Sequence, residues 1–210
     1  MDASVSQHDQ LGAEDRLSLR QHLDSDGSEW RDLDSPGPYA NSEDLQLLEA
    51  WVWGLEMWGR EPLARAALAA LERALSSWAD VDPTDEIVAA AREGNVPSPE
   101  SIHAAVQSWL ATPSVEAAVK ADALLATLPD LDLNLPEFSY LAQSMSAWTL
   151  LAAANTVTVT NHPDPRPFAA RAVLCATRAA ITSGGSVGDI RTHIHGQLTS
   201  WLDATGPDQG

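Results

Sequence analysis

The Asp-x-Asp pairs at 24/26, 80/82 and 130/132 are the residues of this 210-residue chain whose spacing first suggests chemistry, because closely set carboxylates serve calcium ligation and acid–base work. Asp130-x-Asp132-x-Asn134 begins like a calcium loop. Its sixth position is Leu135, where the sharp turn needs Gly, and its twelfth is Leu141, where the ion needs a bidentate Glu. Asp24-x-Asp26 meets Glu29 and Ser35 at those positions, and Asp80-x-Asp82 reaches Ala91 at the twelfth. The pairs therefore read as solvated loop carboxylates and helix N-caps, with Asp82 before Pro83 the clearest cap. A carboxylate-lined enzyme site, made from Asp80, Asp85, Asp130 and Asp132 on distant loops, ranks last among the functional readings.

The other reactive side chains fail similar tests. Histidines that share a metal from one helix stand three or four residues apart. His193 and His195 are two apart, about 200° around the wheel, and do not chelate together. His103 falls on a short helix and His162 in a proline-flanked loop; no metal and no cofactor is expected. Cys175 is the only cysteine and sits among Ala172, Ala176 and Ala179, so it reads as a small core residue. Ser183-Gly184-Gly185-Ser186 follows a helix and lacks the Lys of a phosphate loop, which leaves it a helix stop and a new N-cap.

The elements that must position these residues are helices. Ser42-Glu43-Asp44 gives a cap and an acidic first turn to a helix over Glu43–Trp58. Pro62 opens the next, with Leu63, Ala67, Leu71, Leu75 and Trp78 on its stripe. Asp82-Pro83 and Ser98-Pro99 open two short helices, and a further one spans 114–128. Pro136 opens a longer helix with Phe138, Leu141, Met145, Trp148 and Ala152 on one face, and Thr156-Val-Thr-Val-Thr160 reads as its frayed end or an extended loop. Asp164-Pro165 or Pro167 begins another. The last helix carries Val187, Ile190, Ile194, Leu198 and Trp201 at steps of three and four. The expected fold is all-α: about eight helices in a compact bundle or in stacked antiparallel pairs, without a sheet. Residues 1–41 are too polar to offset their ordering entropy and read as an acidic disordered tail, in which a short helix over 13–23 is conceivable; 42–204 is the domain and 205–210 a disordered end.

Eight tryptophans against two phenylalanines and two tyrosines weight the chain toward the residue that anchors interfaces. Trp78, Trp109, Trp148 and Trp201 continue apolar stripes. In the 43–58 helix, Leu45, Leu47, Leu48, Trp51, Val52, Leu55 and Trp58 already fill one arc, and Trp53 lies outside it near Ala50 and Met57. That second face is covered by the chain itself or by a partner. If by a partner, Trp53 and Met57 with Glu49 and Glu56 form one contact patch, and Asp80, Asp82, Asp85, Asp130 and Asp132 form acidic contacts.

Thirty acidic residues against twelve basic ones give a net charge of −18, which disfavours nucleic acid and anionic membrane surfaces. Residues 1–44 hold eleven carboxylates and three arginines, a net of −8; the remainder holds nineteen and nine, a net of −10. Eleven arginines to one lysine, with abundant alanine, reads as GC-rich coding and hints at a bacterial source. The polar N-terminus, lacking a signal-peptide pattern, and the single cysteine suit a cytoplasmic protein.

The segments Leu71-Glu-Arg-Ala-Leu75, Asp82-Pro-Thr-Asp85, Ala89-Ala-Ala-Arg-Glu-Gly94 and Ile102-His-Ala-Ala-Val106 resemble part of an Ala-rich, all-helical group of immunity proteins from bacterial polymorphic toxin systems. About 40 residues carry the resemblance. It implies a cytoplasmic protein that blocks a toxin by surface complementarity, without catalysis, and it transfers no functional residue. The leading expectation is thus a non-catalytic binder of a basic protein partner, ahead of a helical scaffold or adaptor subunit.

Overall fold

The computed structural model describes residues 11–28, 42–126 and 145–205. Among them the regular elements are nine α-helices and one 3-10 turn, with no strand: α1 (Ala13–Asp24), α2 (Glu43–Gly54) and the 3-10 turn Leu55–Trp58, α3 (Arg60–Trp78), α4 (Glu86–Arg92), α5 (Pro99–Ala111), α6 (Val115–Leu125), α7 (Met145–Asn161), α8 (Arg166–Thr182) and α9 (Val187–Ala204). The all-α expectation holds. Local chemistry starts most of these helices. Ser42, Ser98 and Ser114 each accept a hydrogen bond from a first-turn backbone N–H, and Ser186 forms a reciprocal capping box with Asp189.

The centre of the molecule is α3, α7 and α8, which pack on one another more extensively than any other helices do. α3 buries Leu63, Leu71 and a run of alanines, and α8 buries Ala172, Val173, Ala176 and Ala179. Alanine faces let helix axes approach closely, so the Ala-rich composition is a packing device here. α5 lies against both α3 and α7, α6 against α5 and α7, and α9 against α3. The 43–58 segment is not at this centre: α2 flanks α8 on the outside of the three central helices.

One expectation is corrected. Thr156–Thr160 is the buried C-terminal part of α7, not a frayed end. Its β-branched residues disfavour helix locally, but Thr156 Oγ1 donates to the Ala152 carbonyl at 2.7 Å and Thr160 Oγ1 to the Val157 carbonyl at 2.8 Å. With the hydroxyls satisfied inside the helix, burial of Val157 and Val159 outweighs propensity. Within the expected tail over 1–41, the short helix conceived at 13–23 is present as α1. Leu19 and Leu23 of α1 are buried in the core cluster. Residues 1–10 and 29–41, and Phe138 and Leu141 of the expected longer helix, lie outside the described residues.

α1 is fastened by long-range contacts. His22 is enclosed by Trp51 and Trp58; its Nε2 donates to the Trp51 carbonyl at 2.8 Å while Trp51 Nε1 donates to the His22 carbonyl at 3.1 Å. Because a carbonyl only accepts, this fixes the Nε2–H form of the imidazole. Arg16 reaches the carbonyls of Leu202 and Thr205 at the end of α9, and Arg191 of α9 donates to those of Ser25 and Asp26. Gly27, at φ +84°, closes the turn: a Cβ there would stand 2.8 Å from the Leu47 carbonyl oxygen, which no side chain permits.

Candidate functional site

The α2 patch is half covered from within the chain, with Glu49 and Trp53 half-buried and Glu56 and Met57 exposed. The Arg166 guanidinium at the start of α8 lies 5.3 Å from the Trp53 ring centre and pairs with Glu56 at 3.0 Å. Asp164 holds the same guanidinium at 2.9 Å, and these hydrogen bonds keep the Asp164 carboxyl below its usual range. Trp53 is thus half-buried against the core, Glu49 is half-buried, and Met57 is left 66% exposed. The buried Trp53 indole N–H has no hydrogen-bond acceptor among the described residues.

Among the described residues, Asp80, Asp82 and Asp85 form no shared metal-holding cluster. The helix expected from Asp82-Pro83 starts three residues later, at Glu86, with Asp85 as its cap: the Asp85 carboxylate accepts from the Ile87 and Val88 backbone and from Ser146 Oγ. Asp82 instead closes a turn onto the backbone N–H and hydroxyl of Thr84, which lowers its pKa, and it is exposed, as is Asp80. Asp130 and Asp132 lie outside the described residues. Cys175 is fully buried, and burial pushes its thiol up to about 12, so it carries no thiolate chemistry.

A third site is absent from every sequence motif. Glu72 of α3 sits between two helices that each send it an imidazole: His103 of α5 lies 3.2 Å from Oε1 and His193 of α9 lies 3.4 Å from Oε2. The hydrogen bond from His103 is the main reason the Glu72 carboxyl stays below its ordinary range, against the opposing effect of burial; His193 adds a smaller push in the same direction. His195, as expected, goes elsewhere, to Asp24 at 3.0 Å. Beside Glu72 a cleft of about 270 Å³ opens between α3, α5 and α9. Its floor is Leu68, Ala69 and Leu110, and its exposed rim includes Ala111, Gln107 and Gln197 beside Arg65. The Arg65 guanidinium is held by Glu61 at 2.6 Å and lies 4.8 Å from the Trp201 ring centre.

Each polar member of this site flanks a buried stripe residue by one position: Glu72 follows Leu71, His103 follows Ile102 and His193 precedes Ile194. That edge position is the only signal the sequence offers for it. Among the described residues, no group of three His, Cys, Asp or Glu side chains is arranged to hold a metal ion, and no helix is long and apolar enough to cross a membrane. No family model, curated protein or solved structure matches the chain.

Proposed function

We propose that this chain is a non-catalytic binder of a basic protein partner. The observation that carries the reading is how the two signs of charge are used. Most described arginines are engaged within the chain: Arg16, Arg60 and Arg191 on backbone carbonyls, Arg20, Arg65 and Arg166 on carboxylates, and Arg171 and Arg178 over the rings of Phe168 and Trp148. Many carboxylates instead face solvent. Residues 79–100 hold six of them against Arg92 alone, with Asp80, Asp82, Glu86, Glu93 and Glu100 all exposed. A surface whose cations are largely tied down and whose anions largely face solvent repels phosphate backbones and steers a basic protein toward it.

The resemblance to immunity proteins gives this role a specific form, a cytoplasmic inhibitor that neutralises a basic toxin, and the cationic active-site cleft of a nucleic-acid-directed toxin would be the complementary surface. The test is affinity capture from native lysate with the wild-type chain and a Asp80→Lys, Asp82→Lys, Glu86→Lys variant. A basic protein retained by the wild type, lost from the variant and released between about 50 and about 500 mM salt supports the reading. Retention by both chains, indifferent to salt, refutes it.

A further inference from the structure

We propose that the cleft between α3, α5 and α9 receives an arginine side chain of the basic partner, with Glu72 as its counter-ion. The inference rests on the partner-binding role and assigns it a pocket away from the acidic loop. A carboxylate offers about four acceptor positions. His103 and His193 take one on each Glu72 oxygen, which leaves one on each for the two parallel N–H groups of a guanidinium. The imidazoles arrive from different helices and hold the carboxylate in one orientation, so little side-chain entropy is lost when it is engaged.

The rest of the cleft fits the same ligand. Leu68, Ala69 and Leu110 supply an apolar floor for the methylene stem, and the amides of Gln107 and Gln197 stand at the rim for the remaining N–H donors. Arg65 stands two helical turns from Glu72, about 10 Å along α3, and its charge is offset by Glu61. The cleft with its rim therefore carries one net negative charge when the histidines are neutral. A planar fork suits this arrangement better than a point charge, which selects arginine over lysine.

The probe is N-acetyl-arginine amide, titrated into the full chain and followed by NMR at the side-chain amides of Gln107 and Gln197. N-acetyl-citrulline amide, the neutral analogue of the same shape, is the control. The expected result is saturable shifts at both glutamines with the arginine probe and none with citrulline. Glu72→Gln weakens the response by about fivefold, as removal of a solvent-accessible ion pair does. Ala111→Trp, at an exposed lining position, abolishes it by filling the cleft, and Asp82→Asn in the acidic loop leaves it unchanged. Equal response to citrulline, shifts confined to residues 80–86, or indifference to both Glu72→Gln and Ala111→Trp overturns the proposal. If the arginine probe binds as described but lysate capture finds no salt-sensitive basic partner, the partner role fails and the cleft stands. If capture succeeds and the probe fails, the cleft alone is wrong.

Discussion

α1 and α4 make an instructive pair. Each is a short peripheral helix next to an Asp-x-Asp segment, and the sequence favours α4, which has its cap and proline nearby, over α1, which has neither a capping side chain nor a strong stripe. The structure reverses the ranking of attachment. α1 buries Leu19, His22 and Leu23 and is tied to α2 and α9 through residues far away in the chain. α4 is seven residues long, buries Val88 alone and packs chiefly against α7. Local bonds decide where a helix begins; distant contacts decide how firmly it is held.

The comparison fails first if α1 is not part of the core. Leu19→Ala leaves a cavity at a fully buried position and is expected to cost about 2–5 kcal/mol in denaturant unfolding. The transition should stay single, because α1 docks on α2 and α9 rather than forming a unit of its own. A loss below about 0.5 kcal/mol would show α1 to be a loosely associated tail. Val88→Ala removes the only buried side chain of α4 and is expected to cost about 1.5 kcal/mol, less than the change in α1. If it costs more, α4 is more deeply integrated than its single buried residue implies.

Asp85→Ala sharpens the distinction further. It removes a local cap from two backbone N–H groups together with the one long-range bond from Ser146. The expected cost is about 1 kcal/mol, the ordinary value of a cap. Amide exchange should quicken across Glu86–Arg92 and stay unchanged in α1. Equal quickening in both helices would mean that α4 and α1 open as one unit.

These contrasts show why some of the fold was legible and some was not. Ile190, Ile194 and Leu198 repeat at helical spacing and are buried as that spacing requires; Ser42, Ser98 and Ser186 cap helices within a few residues of themselves. Such signals are local, so a single sequence contains them. The docking of α1 depends on Trp51 and Arg191, and the Glu72 site joins residues 31 and 121 positions apart. Nothing near Glu72 in the chain announces its partners. Arginine abundance, which composition alone reads as coding bias, has a structural use: guanidinium groups lie over Trp51, Trp53, Trp148 and Trp201, a role that lysine would serve less well.

Glu72 separates two properties that α1 and α4 confound, since α1 is held by contacts that are both distant and buried. The Glu72 contacts are distant but half-open to water, so solvent screening places their contribution below that of the Asp85 cap. The folded-state pKa of Glu72 is depressed, chiefly by the His103 hydrogen bond. Its contribution is therefore fully present above the unfolded carboxyl value of about 4.3 and is lost as pH falls through the folded value. Urea midpoints of the wild type and Glu72→Gln, measured from about pH 7 to about pH 3, should differ by a constant amount down to about pH 5 and converge below it. Convergence already well above about pH 5 would show that the Glu72 carboxylate is not the group behind the effect. A difference that persists unchanged to about pH 3 would mean that Glu72 acts through its shape and not its charge, and the carboxylate would then have no ion-pairing role for an arginine to share.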